Sequence, residues 1–240
     1  MPRRWSPASR ENPVADAPLG LVGGTFDPVH YGHLRLADEV QRALALPEMR
    51  LVPAGDPPHR GAPGASARDR VAMLELALAE FPGLSIDARE IARAGKSYTV
   101  LTLASLRAEA PRRPLLWVVG ADALVGLPAW HRWRELFALA HLVVVGRPGV
   151  DLTAALPDAL RPEWDARLSA NAADLRTAPA GTIFRQDVTP QPISATAIRA
   201  ALARGGDGLR DVRGLLPDRV LAYIGRNGLY TAQTPPPDAP

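Results

Sequence analysis

Short apolar runs alternate with helical patterns along most of the chain. Leu19 to Gly23 is an apolar run of strand length, and behind it Leu34, Ala37, Val40 and Leu44 recur at helical spacing. Leu51 to Pro53 predicts a second strand. Val71, Leu74 and Leu78 mark another amphipathic helix, followed by a strand at Leu84 to Asp87 and a helix through Leu101 and Leu106. Leu115 to Val119 and Leu142 to Val145 are nearly continuous apolar runs, the pattern of central parallel strands buried on both faces. This alternation predicts an α/β fold on a doubly wound, Rossmann-like parallel sheet. No repeat or linker divides it, so one domain over residues 19–232 is expected, with 152–180 as a helical insertion. Residues 1–18 and 233–240 are rich in Pro and lack periodicity, which predicts disordered tails.

Composition narrows the function classes. With 47% hydrophobic and 22% charged residues, the 240-residue chain has enough apolar material for a sizeable core. The absence of cysteine excludes disulfides, thiolate metal sites and cysteine nucleophiles. Net charge is only +3, and Lys96 is the sole lysine among the 28 basic residues. No stretch interleaves clustered basic residues with aromatics, so no nucleic-acid partner is expected. Met1 to Asp16 has Arg3 and Arg4 but no apolar core, and no later run approaches the ~20 apolar residues of a membrane span. No membrane association and a cytoplasmic location are the expectations.

The densest chemistry lies between the first strand and the first helix, in Gly23-Gly24-Thr25-Phe26-Asp27-Pro28-Val29-His30-Tyr31-Gly32-His33. In an open parallel sheet a ligand sits outside the carboxyl end of a strand. Paired glycines let backbone approach it closely. His30 and His33 fall at a helix start, where N–H groups and the dipole already favour an anion, and imidazole donors there would stabilise charge on a phosphate during transfer. A histidine at a helix start also serves as a cap or surface residue. Two at i, i+3 also suit zinc if His59, His131 or His141 folds nearby, although nothing in the spacing requires it. Two other phosphate loops are excluded. G-x-G-x-x-G does not follow the first strand, and Gly95-Lys96-Ser97 lacks the earlier glycine of a Walker A loop, position 90 being glutamate.

The turn resembles the signature of nucleotidyltransferases with the T/HxGH motif, and specifically the bacterial nicotinate-nucleotide adenylyltransferases. The resemblance continues through Pro57-Pro58-His59-Arg60, Ser97-Tyr98-Thr99, Val119-Gly120-Ala121-Asp122, Trp130-His131 and Ile193-Ser194-Ala195-Thr196-Ala197-Ile198-Arg199 to Gly228-Leu229-Tyr230. It spans roughly Leu19 to Tyr230 in the family's order and spacing.

A second anion site is readable from the residues themselves. Ser194 precedes a helix whose apolar face carries Ile198, Ala201 and Leu202, with Gly205 as its stop, so Ser194 reads as an N-cap. The resemblance implies that this stretch holds the triphosphate of ATP. It assigns ATP binding to Gly23, Gly24, Thr25, Phe26, His30, His33, Gly120, Asp122, Ile193, Ser194, Thr196 and Arg199, with Asp122 toward the ribose unless it only caps the next helix. Nicotinate mononucleotide falls to Asp27, His59, Tyr98, Thr99, Trp130 and His131, an indole face suiting the cationic pyridinium ring. Lys96 reads as surface, and Ala54 and Gly55 depart from the amide-bearing residues of some relatives.

The implied reaction is in-line attack of the acceptor phosphate on the α-phosphorus of ATP, giving nicotinate adenine dinucleotide and pyrophosphate for NAD biosynthesis. Catalysis then falls to alignment and charge stabilisation by His30, His33 and Arg199. No protein-built metal site is expected, and Mg²⁺ would arrive with ATP. The rival readings are adenylyl transfer to nicotinamide mononucleotide or another phosphomonoester such as phosphopantetheine, and a non-catalytic nucleotide-binding regulator; assembly into a homo-oligomer is compatible with each.

Overall fold

The computed structural model describes residues 17–57, 63–147, 149 and 152–231. The expected tails, apart from Ala17 and Pro18, and the His59 segment lie outside them.

Strand β1 (Leu19–Gly24) leads into α1 (Tyr31–Ala43), then β2 (Glu48–Pro53), α2 (Ala67–Ala77), β3 (Leu84–Ile86), α3 (Arg89–Ala92) and α4 (Thr99–Glu109). The second half runs β4 (Leu115–Gly120), α5 (Ala121–Val125), α6 (Leu136–Leu139), β5 (His141–Gly146), α7 (Arg161–Arg167), β6 (Leu168–Ser169) and β7 (Ile183–Asp187). Three helices follow: α8 (Ala195–Ala203), α9 (Asp207–Asp211) and α10 (Asp218–Arg226). The sheet order is β3-β2-β1-β4-β5-β7-β6, and every pairing is parallel.

The doubly wound expectation is met, and strand periodicity shows why. Val22, Leu116, Val118, Val143 and Val145 face one core with Leu34, Met73, Ile198 and Val220 of the helices. Their neighbours Leu21, Trp117, Val119, Leu142 and Val144 face a second core with Leu103, Leu136 and Trp164. Successive residues of a strand point to opposite faces, so apolar side chains at every position demand helices on both. The chain winds outward from β1 to β3 and returns to place β4 on the other side of β1. The carboxyl ends of β1 and β4 therefore flank the topological switch point, where this architecture binds ligands.

Three sequence expectations change. On α2 the buried residues are Arg70, Met73, Leu74 and Ala77, with Val71 and Leu78 only partly covered. On α4, Leu101 is exposed while Val100, Thr102 and Leu103 are buried. The 152–180 segment is helical at α7 and in short 3-10 turns, yet also carries β6, which extends the sheet beyond β7.

Candidate active site

The turn after β1 is built around aromatic rings. A Cβ at Gly23 would lie 2.4 Å from the Trp117 indole, so that position requires glycine, and one at Gly24 would press at 3.1 Å on the Phe26 ring. Phe26 turns its backbone to φ 51, sits in the core and meets His33 edge-on at 5.1 Å. His30 occupies the N-cap position of α1 but makes no side-chain cap hydrogen bond, so its ring is not spent on capping. That ring is 4% exposed and stacks on His33 with centroids 3.7 Å apart. Burial pushes the His30 pKa down to about 4, leaving a neutral imidazole at physiological pH.

The first turn of α8 stands beside this pair. Ser194 accepts a cap hydrogen bond from Ala197 N–H, as its sequence position predicts. Ile193 packs 3.6 Å from where a Gly32 Cβ would stand. The loop leading to it is fastened to α1, because Glu39 accepts from both the N–H and the hydroxyl of Thr189, and Arg35 donates to Gln191. Arg199 donates to the Asp27 carbonyl at 2.7 Å and to the Thr196 hydroxyl at 3.4 Å. Two helix N-termini thus converge with a guanidinium and two imidazoles between them, an arrangement suited to an extended anion.

Two cavities open at the carboxyl ends of the strands. The larger, about 1040 Å³, is walled by Ser97, Tyr98, Thr99, Gly120, Ala121, Asp122, Trp130, His131 and their neighbours. The smaller, about 290 Å³, lies between Gly32 and Leu36 of α1 and the Val188 to Gln191 loop with Ile193. Gly120, Gly146 and Arg147 belong to both walls, so the two are lobes of one groove. A Cβ at Gly120 would meet nothing within 4 Å. In the large lobe the Tyr98 and His131 rings lie 4.4 Å apart, and Trp130 is half-buried against the second core.

The predicted residues therefore fall into groups. Tyr98, Thr99, Gly120, Asp122, Trp130 and His131 meet in the large lobe, and Ile193 lines the small one. Gly23, Gly24, Thr25, Phe26, His30, His33, Ser194, Thr196 and Arg199 stand outside both walls, clustered about the two helix starts. Asp27 departs from its expected place against the acceptor. It is 5% exposed, and its carboxylate accepts from Gly64 N–H, Ala65 N–H and the Tyr230 hydroxyl. All these donors come from segments distant in sequence. Among the described residues, no three His, Asp or Glu side chains group to hold a metal ion.

Arg147 and Arg70 were not singled out from sequence, and Ser97, Lys96 and Gly55 were named without their contacts. Arg147 follows β5 at its carboxyl end, and the rule that pointed to Gly120 and Asp122 after β4 would have found it. Ser97 accepts from Gly55 N–H at 2.8 Å and Asp56 N–H at 3.2 Å, while Lys96, expected as surface, pairs with Asp56 at 2.8 Å. Gly55 itself is explained by packing, since a Cβ there would lie 2.4 Å from the Glu90 carbonyl oxygen. Buried Arg70 ties the two strand-end turns together by donating to the carbonyls of Thr25 and Gly55.

Comparison with known proteins agrees with this geometry. Residues 21–201 match the family described as Cytidylyltransferase-like. A curated protein of Laribacter hongkongensis named "Probable nicotinate-nucleotide adenylyltransferase" is 52% identical over 218 residues, covering 90% of this chain and 96% of that protein. One of the same name from Halorhodospira halophila is 50% identical over 212 residues, covering 88% and 94%. Among solved structures, the Plasmodium falciparum nicotinic acid mononucleotide adenylyltransferase complexed with NaAD shares the fold at 14% identity. Its TM-score is 0.67, and the match covers 89% of this chain and 97% of that one. The chain belongs to the cytidylyltransferase-like family and, within it, to the nicotinate-nucleotide adenylyltransferases.

Proposed function

We propose that this chain transfers the AMP part of ATP to the phosphate of nicotinate mononucleotide, releasing pyrophosphate and forming nicotinate adenine dinucleotide. The observation that carries the reading is the groove of two lobes meeting at Gly120, Gly146 and Arg147 beside two convergent helix starts. The small lobe suits an adenosine end. The large lobe, with Trp130 and Tyr98, suits a pyridine ring, and Asp122 at its rim suits a ribose. The phosphates then span the shared wall, within reach of Arg147 and the α1 and α8 starts.

In this reading an oxygen of the acceptor phosphate attacks the α-phosphorus. The bond from that phosphorus to the bridging oxygen breaks, and its electron pair leaves with pyrophosphate. The attacking oxygen is already ionised at neutral pH, so no general base is needed. Neutral His30 and its neighbour His33 donate hydrogen bonds to the charge developing around the α-phosphorus, and Arg199 holds the outer phosphates. A divalent ion, Mg²⁺, enters as part of the ATP substrate and is held by phosphate oxygens and water. The domain doing this spans residues 19–232 and works in the cytoplasm with ATP and nicotinate mononucleotide, without nucleic acid. Among the described residues no helix is long and apolar enough to cross a membrane.

The test is pyrophosphate release with nicotinate mononucleotide, nicotinamide mononucleotide and phosphopantetheine in parallel. The expected result is fastest turnover with the first. Preference for either of the others would replace the acceptor assignment, and no turnover with any would favour the regulator.

A further inference from the structure

The sequence singles out Gly228-Leu229-Tyr230, and the reaction as derived gives it no task. Tyr230 is 5% exposed, its backbone turned to φ 62, and its hydroxyl donates to Asp27 Oδ1 at 2.7 Å. Burial raises its pKa far above the usual phenol value, with the Asp27 carboxylate adding to the shift, so the hydroxyl remains a donor. Asp27 Oδ2 accepts from Gly64 N–H at 2.7 Å, and Oδ1 also accepts from Ala65 N–H at 3.1 Å. Gly64 packs tightly on the same cluster, since a Cβ there would come 3.0 Å from the Tyr230 ring and 3.3 Å from Arg199 Cδ.

The position of Arg199 is the informative one. Its Nη1 donates to the Asp27 carbonyl and stands 3.7 Å from Oδ2, too long for a good hydrogen bond yet close enough to become one. Its side chain keeps 34% of its surface exposed, whereas that of Asp27 keeps only 6%. A buried carboxylate must have its oxygens satisfied. As long as the Tyr230 hydroxyl and the two backbone N–H groups do this, the ion pair of Asp27 with the guanidinium stays long.

We propose that Tyr230 is a positioning residue for ATP: by satisfying Asp27 it prevents that carboxylate from capturing Arg199, leaving the guanidinium charge available to the triphosphate. Removing the phenol oxygen leaves Oδ1 with one donor and more of the shared carboxylate charge uncompensated, so the long contact between Arg199 and Oδ2 tightens into a short ion pair. The inference rests on the reading of Arg199 as a triphosphate ligand.

The experiment is calorimetric ATP binding, without acceptor, to the full-length wild type, Tyr230→Phe, Arg199→Ala and the double variant. Tyr230→Phe should weaken ATP binding about tenfold, and the double variant should bind no more weakly than Arg199→Ala, since a residue acting through Arg199 has nothing left to act on. The KM for nicotinate mononucleotide should stay unchanged in Tyr230→Phe. Wild-type affinity in Tyr230→Phe, or losses that multiply in the double variant, would overturn the inference. Wild-type affinity in Arg199→Ala would instead overturn the Arg199 assignment beneath it. Should Tyr230→Phe be too unstable to titrate, the comparison moves to an Asp27→Asn background, where the buried charge is gone. There Tyr230→Phe should leave ATP affinity unchanged, and a further loss would overturn the proposal.

Discussion

Two glycines at the carboxyl ends of neighbouring strands should respond oppositely to the same kind of change. Alanine at Gly23 would put a Cβ 2.4 Å from one indole carbon of Trp117 and 2.6 Å from another. Trp117 is 3% exposed and packed in the second core, so its rigid ring has nowhere to retreat. Overpacking of this kind costs about 1–3 kcal/mol. For a chain of this size each kcal/mol lowers the melting temperature by about 2–4 °C, giving a fall of about 2–12 °C. Gly120 has backbone angles of φ −69 and ψ 158, which any residue adopts, and open space where a side chain would go. Gly120→Val should therefore melt within about 2 °C of wild type, as expected for changes near ±0.5 kcal/mol. Its side chain would nevertheless fill the wall shared by both lobes, and displacing reacting groups by about 1 Å costs about 100-fold in rate. Thermal melts followed by circular dichroism and pyrophosphate release on the same samples give both quantities. Wild-type kcat/KM in Gly120→Val would refute the placement of the groove, and wild-type melting in Gly23→Ala would refute the packing of that turn against Trp117.

Three further outcomes are expected. His33→Ala should lower turnover about 100-fold or more, roughly 2.7 kcal/mol, with the fold intact, and near wild-type kcat would remove its role in charge stabilisation. Because burial holds His30 at about 4 against 6.5, the unfolded chain binds the proton first; stability is full above pH 6.5 and falls by about 3 kcal/mol as pH drops to 4. Urea titrations at pH 7 and 5 should show a loss smaller by about 2 kcal/mol in His30→Asn than in wild type, and equal losses would contradict the burial argument. Ser97→Ala unfastens Gly55 and Asp56 from the large lobe, so the KM for nicotinate mononucleotide should rise about tenfold (~1.4 kcal/mol) with that for ATP unchanged, and a parallel rise in both would show a general loosening instead.

How far the chain could be read in advance depended on distance along it. The strands β1, β4 and β5 were legible because each is a local apolar run, and the turn at Gly23 to His33 because its residues are contiguous. The face of α2 was misjudged because Arg70 is buried by partners from the turns after β1 and β2, which no helical periodicity encodes. Strand β6 has only two residues, too few for any alternation, and exists because β7 lies beside it. Within the site, the residues that motif membership grouped as Tyr98, Thr99, Trp130 and His131 line one lobe. That membership assigned Asp27 to the substrate because the donors that occupy its carboxylate lie at Gly64, Ala65 and Tyr230. Arg147 was overlooked because an arginine carries little signal in a chain where nearly every basic residue is one.

The joint between Asp27 and Tyr230 spans 203 residues. During synthesis at about 5–20 residues per second, the phosphate turn therefore waits about 10–40 s for its last partner. Arg199 emerges before Tyr230, so in the growing chain the guanidinium reaches the turn while the carboxylate still lacks its phenol. A ligand stabilises only the state that binds it, so ATP gives little support to such an incomplete chain. On the proposed role of Tyr230, nucleotide affinity thus depends on the chain having closed on itself, and a nascent or clipped molecule should bind ATP about tenfold more weakly even with both histidines in place.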